Sequence, residues 1–344
     1  MRDSHGLFDY ESDHISKSLF EVRSAGYLDR HEHSVQFLQQ SPGNGLPGPL
    51  VAVQPGGEQY SVALCSEEGN FWTVVRFLPG AKKGLELVTN SVIKLGRVIF
   101  RVKEIGEGLE PDRPDQPPVE TSMEIDEEAG EEMTCRICYE RQVTRDNPLL
   151  SPCRCDGTVK YLHLNCLKMW IKSKVTTRQT DSSITYQWKT IECDICKLEL
   201  PLTLKTKTTQ VSLFQHDKPA VPYIVLEACP TDRAGAKALH VIMMSNGKQT
   251  IRLGRGHDSD VRINDISVSR CHAMIRYEAG EFLIEDNDSK FGTLVSAPRQ
   301  IELREGGSTT VQVGRSLLGL QVKRSSAKTS EGTFRQIPVD ELNS

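Results

Sequence analysis

Eight cysteine and histidine residues fall between Cys135 and Cys196 in four ordered pairs: Cys135-x-x-Cys138, Cys153-x-Cys155, His163-x-x-Cys166 and Cys193-x-x-Cys196. No other feature of the chain restricts its folding as strongly. Two thiolates separated by two residues can be presented to one ion by a single tight turn, and zinc favours four soft or borderline donors in a tetrahedron. Four pairs therefore supply two closed sites for two Zn2+ ions, with no open position for a catalytic water. Seven of the ten cysteines lie in this block, while Cys65, Cys229 and Cys271 are scattered singly. The opening residues MRDSHGLFDY hold no apolar leader. Both observations favour thiols kept as metal ligands in a reducing compartment over disulfides.

Spacing by itself admits sequential or interleaved wiring of the pairs. The interleaved form resembles RING-type fingers, in which Cys135, Cys138, His163 and Cys166 would hold one ion and Cys153, Cys155, Cys193 and Cys196 the other. Two finger types place a single histidine at the fifth ligand, RING-CH and PHD. The single residue between Cys153 and Cys155, the seven residues before His163 and the run SPCRCDGTVKYLHLNCLKMWI resemble the membrane-associated RING-CH ligases. Ile191 stands where a PHD finger carries an aromatic, and Trp170, four residues after Cys166, is at the RING-like position. A segment this short buries little apolar surface, so the ions are expected to supply most of its folding free energy, about 10 to 16 kcal/mol per structural site in apparent terms.

The resemblance implies a RING-type ubiquitin-protein transferase. Such a finger holds a ubiquitin-conjugating enzyme, charged with ubiquitin, in a reactive pose and forms no covalent ubiquitin intermediate of its own. Carried onto this sequence, the contacts to the conjugating enzyme are Ile137 in the first metal loop, Trp170 on the helix after His163-x-x-Cys166, and Lys197 directly after the last ligand. A lysine at 197 lacks the planar fork with which arginine bonds two carbonyls at once. Leu164, Leu167 and Ile171 recur at helical spacing and are expected to face the core. The polar run from 172 to 192 reads as a long loop. Basic residues in the finger are spread singly, without interleaved aromatics, so no nucleic acid is expected.

From Ile251 the chain alternates apolar and polar residues in short runs separated by Gly, Asn and Asp, the texture of a β-sandwich. Leu253-Gly254-Arg255, Ser267-Val268-Ser269-Arg270-Cys271-His272 and Ser289-Lys290-Phe291-Gly292-Thr293, in that order, resemble a forkhead-associated (FHA) domain. The resemblance implies a loop site for phosphothreonine proteins. Arg255 would fork onto phosphate oxygens, Ser269 would donate a hydroxyl, and Arg270 would add charge or a backbone donor. His272 is expected to be structural. Phe291 departs from the family, which places there an asparagine that bonds the peptide backbone.

The expected fold class is multidomain and mainly β, with a small α+β cross-brace RING-CH finger, a C-terminal FHA sandwich and a β-rich N-terminal domain of partly FHA-like character. The expected boundaries are 1–49, mostly disordered; 50–106, β-rich; 107–132, an acidic disordered linker; 133–204, the finger; 220–324, the FHA domain; and 325–344, a flexible tail. Between 107 and 132 eleven acidic residues face one basic residue, Arg113, a composition that cannot bury a core. SVIKLGRVIFRVK, starting at Ser91, echoes TTVQVGRSLLGLQVK, starting at Thr309. Each reads as the closing hairpin of an FHA-like sandwich, the first copy lacking the Ser-x-x-His motif.

No stretch approaches the roughly 18 to 20 apolar residues needed for a membrane span. The expected protein is therefore soluble and intracellular, in cytoplasm or nucleus. Its expected function is that of a RING-CH ligase recruiting phosphothreonine targets through the FHA domain. The alternative is a non-catalytic zinc-binding scaffold that joins proteins through the finger and the sandwich.

Overall fold

The computed structural model describes residues 7–12, 15–31, 34–40, 49–56, 59–67, 69–78, 84–108, 123–124, 133–144, 146–205, 210–229, 237–245, 247, 249–323 and 335–337. Two compact units emerge: Met1–Ile99 with Arg252–Ser344, and Phe100–Ile251. Strands dominate both, and the single α-helix among the described residues is Leu164–Ser173. No helix among them is long and apolar enough to cross a membrane.

In the first unit, one antiparallel sheet runs in the order Gln300–Arg304, Gln59–Leu64, Val51–Pro55, Gly26–His31, Ser34–Leu38. Facing apolar residues give it a core of Leu28, Phe37, Val51, Val53, Val62 and Phe71, closed by Val311, Val313 and Leu318. The alternation of buried and half-buried residues along Val51, Ala52 and Val53 is that of a strand with one face on a core. Residues 1–49 were expected to be mostly disordered, yet Gly26–His31 and Ser34–Leu38 form a hairpin in this sheet. Their apolar residues are few but alternate, and pairing with Val51–Pro55 gives them a surface to cover.

A second set of strands in this unit contains the FHA-like sequence. Val261–Arg262, Thr250–Gly254, Ala273–Glu278 and Glu281–Asp286 form a sheet whose far edge is Leu85–Leu87. Thr293–Ala297 pairs on one side with Val92–Leu95 and on the other with Phe71–Val74. Phe71–Val74 pairs in turn with Ser308–Val313, which forms a hairpin with Ser316–Gln321. The two echoed segments are thus both hairpin strands, each turning on a Gly-Arg dipeptide with the glycine in left-handed conformation, Gly96 at φ +59° and Gly314 at φ +55°. Their pairing is exchanged. Residues 85–95 complete the strands that carry the FHA motifs, and residues 300–321 complete those of the N-terminal segment. The expected domains 50–106 and 220–324 are therefore not consecutive beads, because each lends its last strands to the other.

In the second unit the strand order is Thr176–Gln179, Ser183–Trp188, Lys237–Met243, Tyr223–Cys229, with the part of Val98–Gly106 from Phe100 onward at the far side. The polar run expected as a loop from 172 to 192 is this first hairpin. Tyr186 and Trp188 point inward from it into a core shared with Leu149, Leu162, Leu167 and Ile171 of the finger and with Tyr223, Val225, Leu239 and Val241. The finger is consequently not an isolated metal-held bead. Most of the acidic segment 107–132 and of the tail 325–344 lies outside the described residues.

Candidate metal centres and anion cleft

The first and last pairs of ligands are built alike. The Cys135 N–H donates to the Glu140 carbonyl at 3.1 Å and the Tyr139 N–H to the Cys135 carbonyl at 2.8 Å, with Tyr139 at φ +62°. Around the last pair, the Cys193 N–H donates to Leu198 at 2.9 Å and the Lys197 N–H to Cys193 at 3.0 Å, with Lys197 at φ +59°. Each turn folds its two thiols to the same side. The structure then gathers the eight residues into two clusters, Cys135/Cys138/His163/Cys166 and Cys153/Cys155/Cys193/Cys196, with the donor atoms of each within 4.8 Å of one another. That is the interleaved wiring.

His163 turns Nδ1 to the first cluster, 3.2 Å from Cys138 Sγ, and its Nε2 lies 2.9 Å from the Gln142 carbonyl. An Nε2–H donated to that carbonyl leaves Nδ1 as a lone-pair donor, the tautomer a metal requires. The thiols show why each cluster fits a cation. Burial pushes the Cys135 thiol up, but N–H groups of Cys138, His163 and Ile137 outweigh it and hold the group at about 6. Cys166 beside it is pushed up to about 12 by burial and by the neighbouring sulfurs Cys138 and Cys135. The second cluster repeats the pattern. Cys193 is brought to about 6, with burial outweighed by backbone N–H groups and Arg136, while burial leads Cys153 up to about 12. Each cluster thus holds thiols whose ionisation is opposed, Cys166 in the first and Cys153 and Cys155 in the second, so full ionisation of either set needs a bound cation.

The expected contacts to a conjugating enzyme lie around the two turns. Ile137 is 42% exposed on the first. Trp170 is half-buried, packed against the finger core, and its indole N–H donates to Asp194 Oδ2 at 3.1 Å. Lys174 approaches the same carboxylate at 3.2 Å and stands over the Trp170 ring at 5.1 Å. Leu164, Leu167 and Ile171 are buried. Ile195, which sequence reasoning passed over, is 55% exposed on the second turn, at the position equivalent to Ile137. The signal was present, since Cys135-Arg136-Ile137-Cys138 and Cys193-Asp194-Ile195-Cys196 share a charged-Ile centre.

In the first unit, the loops bearing Arg255 and Arg270 are laced together. The Arg255 N–H donates to Ser269 at 3.0 Å and the Gly256 N–H to the Arg270 carbonyl at 2.9 Å. Gly254 backs directly onto the Arg270 carbonyl, where a Cβ has no room. His272 is fully buried, accepting the Ser269 N–H on Nδ1 at 3.0 Å with Nε2 3.1 Å from the Gly292 carbonyl. It ties two loops and is held neutral by burial. The Lys290 N–H donates to Ser269 Oγ at 3.2 Å, leaving the hydroxyl proton free to bond elsewhere.

Arg255 and Arg270 line one cleft together with Gly256, His257, Asp258 and Arg262. Arg262 carried no motif and was not anticipated. Phe291 is half-buried with Lys290 Nζ 5.8 Å from its ring centre. Beside this loop lies the segment 7–12: Lys290 Nζ is 3.4 Å from Asp9 and 3.7 Å from Glu11, and the Tyr10 ring stacks on Arg76 at 4.4 Å.

Comparison with known proteins agrees with this geometry. The RING-variant domain family matches residues 135–196 and the FHA domain family residues 251–314. Mouse E3 ubiquitin-protein ligase MARCHF7 is 34% identical over 80 residues, which are 23% of this chain and 10% of that protein. The yeast ERAD-associated E3 ubiquitin-protein ligase DOA10 is 38% identical over 82 residues, 24% of this chain and 6% of its own length. Human E3 ubiquitin-protein ligase MARCHF1 is 34% identical over 73 residues, 21% of this chain and 20% of its length. The likeness thus spans a fifth or less of each of these relatives. No solved structure matches. Sequence motifs, ligand clusters and family matches converge: this chain carries a RING-variant (RING-CH) domain at residues 135–196 and an FHA domain at residues 251–314.

Proposed function

We propose that the chain is a ubiquitin-protein ligase in which two zinc ions hold the finger and the FHA domain selects phosphothreonine-containing targets. The observation that carries the reading is the interleaving of the two ligand clusters, with Ile137 exposed on one metal turn and Trp170 held beside the other by Asp194. Cys135, Cys138, His163 and Cys166 would bind one Zn2+, and Cys153, Cys155, Cys193 and Cys196 the other. All four donors of each set are used, so the ions supply rigidity and no bond-making chemistry.

The reaction is aminolysis. A target lysine amine attacks the thioester carbonyl joining ubiquitin to the conjugating enzyme, an amide forms, and the enzyme's thiolate departs. Ile137, Trp170, Lys197 and Ile195 would contact the conjugating enzyme or ubiquitin and restrict the thioester to attackable poses, while no residue of this chain bonds covalently to ubiquitin. Arg255, Ser269 and Arg270 would receive the phosphate through charge-assisted hydrogen bonds.

A scaffold without ligase activity is the second reading, favoured by Phe291 in place of a peptide-binding asparagine and by lysine at 197. Chain formation by the purified protein with ubiquitin, activating enzyme and a panel of conjugating enzymes decides between them. Chains that disappear with Ile137→Ala and Trp170→Ala support the ligase. Two equivalents of bound zinc with no chains from any conjugating enzyme would leave the scaffold.

A further inference from the structure

The anion cleft contains a cation beyond those of the FHA motifs. Arg262 lies on the strand Val261–Arg262, which pairs in parallel with Leu253–Gly254, so that Arg262 stands opposite Gly254 and one residue from the register of Arg255. Its side chain lines the same cleft as Arg255 and Arg270. Its Nε is buried and has no hydrogen-bond partner among the described residues. A buried donor left unpaired is costly, the more so on a charged group. Among the described residues the fold supplies no acceptor to that nitrogen.

The cleft's own carboxylate does not meet this need. Asp258 pairs with Arg252 at 3.6 Å, and Arg255, Arg262 and Arg270 make no ion pair among the described residues. Three arginines therefore line one cleft without an ion-pair partner among the described residues. A phosphothreonine brings about two negative charges. Three planar forks exceed what one phosphate can match and leave a cation for a second anion beside it.

We propose that Arg262 is a third anion ligand of this site, and that it selects a phosphothreonine accompanied by a neighbouring carboxylate, an acidic phosphopeptide. The inference rests on the phosphothreonine reading given above and deepens it. In the family resemblance only Arg255, Ser269 and Arg270 are placed at the phosphate. Arg262 makes the preference for flanking acid a property of this chain's own sequence.

The test is fluorescence anisotropy of the full chain with three labelled peptides: an unphosphorylated threonine peptide, its phosphothreonine form with alanine neighbours, and a phosphothreonine form with aspartate neighbours. The acidic phosphopeptide is expected to bind about tenfold tighter than the neutral one, and Arg262→Gln to abolish that preference while leaving the neutral phosphopeptide within about threefold. Arg262→Lys, which keeps the charge, should restore part of the preference and serves if Arg262→Gln shifts the thermal melt. A preference that survives Arg262→Gln, or an equal weakening of both phosphopeptides, overturns the proposal. Arg255→Ala on the neutral phosphopeptide reports on the phosphothreonine reading alone. If the wild type binds neither phosphopeptide, that reading fails and this inference fails with it.

Discussion

The guanidinium of Arg136, on the first metal turn, lies 3.5 Å from the sulfur of Cys193 in the second metal cluster. It also reaches Cys153 Sγ at 3.9 Å and donates to the Val159 carbonyl at 2.7 Å. One side chain thus joins a turn that belongs to one cluster with the donors of the other, and its positive charge favours the thiolate form it touches. Arg136→Ala should weaken the second site selectively, by about 1.5 to 3 kcal/mol for hydrogen bonds to charged groups. Zinc release to a colorimetric chelator should become biphasic, one equivalent leaving faster than in the wild type. A uniform release of both ions would contradict this.

Removal of metal should reach beyond the finger. Leu162, Leu167 and Ile171 share a core with Leu239 and Val241, and Ser183–Trp188 is hydrogen-bonded along Lys237–Met243. Zinc supplies about 10 to 16 kcal/mol of apparent binding free energy per structural site, so its loss should release this common core. Hydrogen exchange after chelation is expected to show faster exchange both in 135–204 and in Lys237–Met243. Protection retained in the latter strand would mean that it folds without the metals.

A fragment beginning at residue 220 should not fold as an FHA domain. Glu281–Asp286 takes Leu85–Leu87 as its neighbour and Thr293–Ala297 takes Val92–Leu95. Without them, two strands present open edges and Ile93 and Leu95, both buried in the whole chain, are missing from the core. Residues 220–344 expressed alone should give collapsed amide dispersion by NMR. The same fragment supplied with residues 84–106 through a linker should recover dispersed resonances.

Stability should fall with acid through His240. Burial pushes its imidazole down to about 4 from the 6.5 expected of an exposed histidine, with Thr185 Oγ1 3.0 Å from Nδ1. Between these values the unfolded chain binds a proton that the folded chain refuses. The contribution is complete above about pH 6.5 and is lost progressively as pH falls toward 4, on the order of 3 kcal/mol in total. Denaturant midpoints between pH 7 and 5, with zinc saturating, should fall less steeply in His240→Gln than in the wild type. Equal slopes would show that His240 is not the source.

Much of the metal site was legible because its information is local. The turns Cys135-x-x-Cys138 and Cys193-x-x-Cys196 need only their own residues and a left-handed Tyr139 or Lys197 to bring two thiols together. The burial of Leu164, Leu167 and Ile171 followed from helical spacing for the same reason. Ile195 was legible in principle from its equivalence to Ile137. Arg262 was not, because a lone arginine in alternation with apolar residues looks like any solvent-facing strand position. The role proposed for it rests on the pairing of its strand with Leu253–Gly254, which sets Arg262 in the lining of the cleft shared with Arg255 and Arg270.

The amino-acid sequence by itself determined the eight candidate ligands, the three FHA motifs in order, and two Gly-Arg turns that each close a hairpin. Only the tertiary structure decided that Val92–Leu95 pairs with Thr293–Ala297 while Ser308–Val313 pairs with Phe71–Val74. A turn is settled by the dihedral preferences of two residues, whereas strand pairing is a choice among distant edges that offer the same backbone donors and acceptors. The echoed hairpins carry nearly the same alternation, so local pattern cannot tell which sandwich each completes. That choice falls to packing, where Ile93 and Leu95 are buried beside one set of strands and Val311 and Val313 in the core of the other.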